Sequence, residues 1–363
     1  MKRLLATALT TTCLCTSAAA APRYDLVDLG TLGGAQSWAY GLNDLGQVVG
    51  RSETSYGQGA AFLYQNGLMS FVSSTSNLYS AQAISNTGTI VGGAYGASSY
   101  AYSSAGELTL LGALSRGGLT LSADVNDSGQ IVGNSDAIPS NPSNPYSFPV
   151  YHAFVFENGE LHDLDAGSRF YSHASAINNA GTIVGTKYSG AYGFIYREGT
   201  FEEFADFRPG DINNAGQVAG SMYTPNGYSA ALYDNGEMHA LGTLGGASAT
   251  ATAINDLGII VGVSLISSGS ERAFLHDGIS MHDINDLIDP TTGWTLTRAD
   301  GINIHGQVIA TGFHSTMPSV SRSLLLNPVS PIPEPSIYAM LLPGLLVLSA
   351  AKGLRAKARQ RRA

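Results

Sequence analysis

The chain has 363 residues, 44% hydrophobic and only 12% charged, with a formal net charge of −9. That hydrophobic fraction supports a packed core and excludes a largely disordered chain, while the acidic balance argues against nucleic-acid binding, which needs a basic face or stripe. Forty-four glycines and eighteen tyrosines stand beside two cysteines, so turns rather than disulfides dominate the composition.

At the N-terminus, Lys2 and Arg3 precede an apolar, small-residue run from Leu4 to Ala21. A basic start, a short apolar stretch and small residues at Ala18 and Ala20 read as a secretory signal peptide over residues 1–20, removed by signal peptidase. A buried N-terminal helix is the competing reading, and Thr10 to Thr12 are poor helix formers. Cys13 and Cys15 lie inside this segment, and neither follows a Leu-x-small run that would make it a lipid acceptor. The processed chain therefore has no cysteine and must be held by packing and strand pairing.

The body, residues 21–329, is built from one repeated unit. Leu42-Asn43-Asp44-Leu45-Gly46-Gln47-Val48-Val49-Gly50 returns as ISNTGTIVG from Ile84, VNDSGQIVG from Val125, INNAGTIVG from Ile177 and INNAGQVAG from Ile212. INDLGIIVG from Ile254 and INIHGQVIA from Ile302 complete seven copies. Asn-x-x-Gly between apolar runs is a hairpin loop, because Asn bonds its own backbone and Gly takes the left-handed position. A third apolar run follows, as at Ala60, His152, Gly193, Ala230 and Arg272, then a polar turn and a fourth run. Four short strands per unit make an antiparallel meander whose apolar faces demand stacking on neighbouring units.

The ends fix how the units are arranged. Tyr24 to Gly30 matches the fourth strand of a unit, and Ser323 to Pro328 matches the third. That offset predicts a circular array, closed by pairing the first strand with the last unit. The expected fold is all-β: a seven-bladed β-propeller of four-stranded antiparallel blades, with an N-terminal signal peptide and a C-terminal transmembrane helix. Copy two has Ser85 for Asn, copy seven has Ile304-His305 in the turn, and Ala310 replaces the last glycine. Those departures predict that blades two and seven bend differently.

The repeat resembles the extracellular HAF repeat family, named for a His-Ala-Phe signature. That signature stands at His152-Ala153-Phe154, with variants at Ala61-Phe62 and Ala273-Phe274. The LGTLGG elements at Leu29 to Gly34 and Leu241 to Gly246 match too, as does the stretch from Ile288 through Gly293-Trp294 to Asn303. The resemblance covers essentially the whole body. It implies an exported repeat protein and no activity.

Several residues invite chemical readings. Asp124-Val125-Asn126-Asp127-Ser128-Gly129 imitates the start of a calcium loop, with Ser135 where the twelfth-position acid belongs. Asp211-Ile212-Asn213 echoes it. Since every copy has the Asn-Gly turn with or without an acid, structure explains the pattern first, and no metal or other cofactor is expected. The LGTLGG loops precede strands rather than helices, so they read as crossovers between blades and not as phosphate cradles. His162, His239 and His282 fall at equivalent fourth-strand places, and Glu202 and Glu203 point to opposite strand faces as solvated acids. No catalytic residue is assigned. Two stretches break the repeat, Asn134 to Val150 and Asn285 to Arg298, and the first offers Tyr146 and Phe148 as a rim for stacking sugar rings.

Residues 330–363 carry a second address. Ile337 to Ala351 contains no charge and precedes Lys352, Arg355, Lys357, Arg359, Arg361 and Arg362. Fifteen helical residues rise only about 22 Å, short of a hydrocarbon core near 30 Å. A C-terminal core helix is the rival, and the six basic residues favour a membrane span with a cytoplasmic tail. Just before it stands Pro333-Glu334-Pro335 in a Pro-rich, extended stretch. The three parts in order resemble the PEP-CTERM sorting signal. That resemblance implies a Gram-negative bacterium, cleavage near Pro333-Glu334-Pro335 by an exosortase-type membrane protease, and delivery to the cell surface or an exopolysaccharide matrix.

Removing both ends changes the charge balance. Residues 22–332 hold ten Lys and Arg against 26 Asp and Glu, a net −16, which repels anionic polysaccharide. The sequence therefore predicts an exported surface or matrix protein, a non-catalytic module binding exopolysaccharide or surface proteins. The alternative is a polysaccharide lyase or hydrolase with its site at the propeller mouth, and a third reading is a pure spacer without a pocket.

Overall fold

A computed structural model describes residues 23–73, 78–95, 99–138, 148–188, 192–225 and 227–329. The signal peptide, Tyr146, Pro333-Glu334-Pro335, the apolar span and the basic tail lie outside the described residues. Among the described residues no helix is long and apolar enough to cross a membrane.

Seven four-stranded antiparallel sheets follow one another in chain order. Blades one to six cover residues 33–71, 78–110, 120–163, 172–204, 207–242 and 245–283, each a simple meander. Blade seven takes its first three strands from residues 294–328 and its fourth from Tyr24–Asp28. That strand runs antiparallel to Met317–Pro328, with Tyr24 opposite Pro328 and Asp28 opposite Leu324. The circular closure read from the displaced fourth strand is thus present. The first strand of every blade lines a central channel, and the Asn-x-x-Gly turns ring one end of it.

The core is divided as the stacking argument requires. Seven hydrophobic clusters each join two adjacent blades, the last uniting Leu29, Ala39, Val48 and Phe62 with Ile309 and Leu325 across the closure. A close approach of the first-strand backbone explains the glycine two places into the second strand, and the signature phenylalanine packs across from it. Phe62, Phe154, Phe194 and Phe274 lie opposite Gly50, Gly133, Gly185 and Gly262. A Cβ at Gly50 would stand 2.0 Å from the Trp38 carbonyl oxygen and 2.8 Å from the Phe62 ring. Blade seven replaces this pair with Ala310 opposite Leu324, and carries an extra bulge between Leu296 and Arg298.

The departures in copies two and seven leave the turns themselves unchanged: Ser85 N–H bonds the Thr89 carbonyl at 3.0 Å and Asn303 N–H bonds the Gln307 carbonyl at 3.1 Å, as Asn43 does with Gln47. The backbone turn depends on the glycine, and Gly88 and Gly306 keep it with φ of 84° and 74°. Blades two and seven differ instead along the first strand, each with a further one-residue bulge, between Leu78 and Ser80 and between Leu296 and Arg298. The second break in the repeat is tied to blade seven. It forms two 3₁₀ turns, Ile284–Asp286 and Pro290–Thr292, and Asn285 bonds both backbone groups of Leu296 while Leu287 accepts from Tyr24 N–H.

Candidate functional site

The channel end ringed by the repeat turns is a polar funnel of about 190 Å³. Each turn asparagine uses its Oδ1 within its own turn and its Nδ2 to reach the next blade, and in Asn43, Asn126, Asn213 and Asn303 the Nδ2 also donates to the turn's own glutamine. Asn43 Oδ1 accepts from Leu45 and Gln47 N–H, while its Nδ2 donates to the Ser85 carbonyl of blade two at 3.0 Å. Asn126, Asn178, Asn213 and Asn255 repeat this toward Asn178, Asn213, Asn255 and Asn303 at 2.9–3.1 Å. Asn303 returns to the Asn43 carbonyl at 3.1 Å. Ser85 leaves one gap in this clasp, because its short hydroxyl stays on Thr87 and Thr89 within its own turn.

A second ring lies one residue further along. The N–H groups of Asp44, Asn86, Asp127, Asn179 and Asn214 donate to the side-chain oxygens of Asn86, Asp127, Asn179, Asn214 and Asp256, and Ile304 N–H returns to Asp44. Amide groups of Asn86, Asn179 and Asn214 also bond the Asp44, Asp127 and Asp256 carboxylates. The apolar side chain of Ile304 interrupts this ring. The calcium-like start at Asp124 is therefore clasp and turn: Asn126 Oδ1 accepts from Ser128 and Gln130, and Asp127 bonds its neighbours.

Below the funnel, every first strand carries a bulge, placing Tyr40, Gln82, Ala123, Ser175, Gly210, Thr252 and Asp300 in the channel wall. Here the blades differ. The next residue is acidic only at Asp124 and Asp211, and each of these carboxylates bridges blades by accepting its successor's N–H and that of Ile177 or Ile254 in the following blade, at 2.8–2.9 Å. Burial pushes Asp124 up to about 6 and Asp211 up to about 7. Burial also raises Asp300, opposed by Arg298. No histidine is among the residues lining funnel or channel. Among the described residues no group of three His, Cys, Asp or Glu is placed to hold a metal ion.

The opposite face, formed by the links between strands two and three and between blades, is aromatic. Phe148, Phe170, Tyr171, Tyr188, Tyr192 and Tyr223 are all exposed on blades three to five. Tyr151 and Tyr228 occupy the same place, just before the residue that corresponds to His152, in blades three and five, and Tyr192 of blade four stands at the His152 place itself. Tyr151 stacks on Tyr171 with centroids 6.2 Å apart, and Tyr223 meets Tyr228 edge-on at 5.7 Å. Between blades four and five, Tyr192, Asp206, Arg208, Tyr223 and Tyr228 line a cleft of about 320 Å³. The Arg208 guanidinium lies 5.3 Å from the Tyr192 ring and 5.2 Å from the Tyr228 ring. Among the described residues neither Arg208 nor the Asp206 carboxylate has an ion-pair partner.

The remaining singled-out residues are mainly structural. His152 is buried, its Nδ1 2.9 Å from Asp163, and thereby ties the third strand of blade three to the fourth; Arg272 and Asp283 make the matching pair in blade six at 3.8 Å. Glu202 and Glu203 do face apart, but they are partnered rather than merely solvated, Glu202 with Arg197 and Tyr233 and Glu203 with Lys187 at 3.3 Å. His162 and His239 lie opposite Val155 and Leu232, and His282 opposite Leu275, equivalent places set by the repeat. Of the expected sugar-stacking pair, Phe148 is 74% exposed beside the arc.

No protein-family model and no curated protein matches the chain. Solved propellers share its fold. A virginiamycin B lyase from Staphylococcus aureus aligns over 84% of this chain and all of its own, at 13% identity and a TM-score of 0.50. A streptogramin B lyase aligns over 84% and 98%, at 13% identity and 0.52. YCF48 bound to a D1 peptide aligns over 86% and 96%, at 11% identity and 0.53. At these identities the likeness establishes architecture, and the chain is a seven-bladed β-propeller.

Proposed function

We propose that the chain is an exported, non-catalytic binding or scaffolding propeller of the cell surface or exopolysaccharide matrix. In this reading residues 1–20 direct secretion, the apolar span holds the chain in the inner membrane, and the basic tail stays in the cytoplasm. An exosortase-type protease then acts near Pro333-Glu334-Pro335, and the propeller is released to its surface destination.

One contrast carries the choice of binding over catalysis. At the funnel, polar side chains are spent on one another and on backbone groups, so no free acid–base pair stands where the mouth could hold a substrate. On the opposite face, aromatic surface is exposed and a cation lies between tyrosine rings without an ion-pair partner among the described residues. Similar propellers include lyases and one bound to a peptide, so the scaffold accommodates either task. The test is the full chain in mild detergent on a glycan array, with the host exopolysaccharide assayed for chain shortening in parallel. Retention without shortening is expected. Shortening by the purified chain would establish the lyase or hydrolase instead, and an array without retention would leave protein scaffolding or a spacer.

A further inference from the structure

We infer that the aromatic arc on blades three to five is a groove for a neutral polysaccharide chain, anchored in the cleft around Arg208. The inference rests on the glycan-binding form of the proposed function and names its site and ligand class.

The arc is not a by-product of the repeat. Where blades three and five have Tyr151 and Tyr228, blades one and six have Gly59 and Glu271 and blade seven has Ser321, while Tyr192 of blade four stands where blades three and six have His152 and Arg272. Arg208 occupies a first-strand place held by Trp38, Leu121, His173 and Thr250 in blades one, three, four and six. Blade seven has Arg298 there, but that arginine is paired with Asp300, whereas Arg208 has no ion-pair partner among the described residues. A stacking repeat needs none of these residues, since the blade interfaces are already filled by their own clusters.

The chemistry fits a sugar. Flat phenol rings offer faces to the C–H surface of a pyranose. A hydroxyl both donates and accepts, and the cleft supplies one of each: guanidinium N–H groups on Arg208 and carboxylate oxygens on Asp206. The two tyrosine rings flank the guanidinium, and no ion-pair partner among the described residues occupies its N–H groups. The pair is neutral in sum, and the body around it carries ten basic against 26 acidic residues. A polyanion would meet that field unfavourably, whereas an uncharged chain is indifferent to it. The aromatics are distributed blade after blade rather than gathered into the apolar centre that a folded partner needs. A linear chain is the occupant that reads such an arc.

The experiment is titration calorimetry of the full chain in detergent with cello- and mannohexaose, their disaccharides and a hexa-uronate. Binding should favour a neutral hexaose over its disaccharide, because only the longer chain spans successive blades. Arg208→Ala and Tyr223→Ala should each weaken it by about tenfold or more, while Tyr56→Ala, on blade one outside the arc, should leave it unchanged. Tyr223 is 58% exposed, so its variant keeps the test valid even where Arg208→Ala lowers the yield of folded protein. Hexaose binding that ignores both arc variants overturns this site and leaves the proposed function standing. Preference for the uronate overturns the ligand class. No glycan binding by the parent chain overturns the inference together with the glycan form of the proposed function.

Discussion

Gly92 and Gly93 are neighbours in blade two with opposite tolerance for a methyl group. A Cβ on Gly92 would lie 2.0 Å from the Ser80 carbonyl oxygen, whereas one on Gly93 would meet only the Ser80 hydroxyl at 3.6 Å. Gly92→Ala is therefore expected to cost about 1–3 kcal/mol, and Gly93→Ala to be near neutral, in paired denaturant melts. The channel acids give a second residue-scale expectation. Asp211, raised to about 7 by burial with help from the nearby Asp124 and Asp256 charges, keeps its proton in the folded chain where the unfolded chain, at 3.8, has lost it. A raised acid favours the folded state at low pH, so this contribution falls as pH climbs from about 4 to about 7 and is flat above. Asp124, at about 6, acts in the same direction over a narrower window. Asp211→Asn should thus lower the melting temperature at pH 5 by loss of one acceptor, yet show a smaller decline between pH 5 and pH 8 than the parent. Equal declines would remove Asp211 from the account. The sequence exposed these acids but not their role: oxygens at alternate positions imitate a calcium loop, and their N–H partners Ile177 and Ile254 lie more than forty residues away.

At the scale of the element, the recurring hairpin does two jobs with one side chain. Asn-x-x-Gly predicts the turn because the turn is local. It is silent on the Nδ2 bond to the next blade, since that bond exists only after the sheets have stacked. Ser85 separates the two functions, for its turn is intact while its bridge toward Asn126 is missing. Ser85→Asn should complete the clasp and raise stability by about 1 kcal/mol. Asn255→Ala, which removes a bridge and the acceptor for Leu257 and Ile259 N–H, should cost about 1–3 kcal/mol. Calorimetric melts of both variants check the pair, and equal effects of like sign would contradict the clasp. The tyrosine arc escaped the sequence for a related reason. Its members are separated by whole blades, and their gathering on one face emerges only once the sheets are stacked.

The whole molecule is closed by five residues. Tyr24–Asp28 covers the edge of Met317–Pro328, burying Tyr24 and packing Leu26 against the blade-six and blade-seven core. Deleting them would leave an unpaired strand edge beside an open hydrophobic seam. The shortened chain should melt less cooperatively and self-associate, which calorimetry and light scattering would read; an unchanged sharp melt would show that the clasp alone holds the circle. That closure was legible because the displaced fourth strand is a counting argument, independent of side-chain detail. It also decides how the body meets tension. Residues 23 and 329 depart side by side, Val329 N–H bonding the Arg23 carbonyl at 2.9 Å. A pull from the C-terminal side enters Met317–Pro328, which is gripped by ladders on both flanks. Such a strand must shear two sets of bonds together, whereas an outermost strand would unzip one bond at a time.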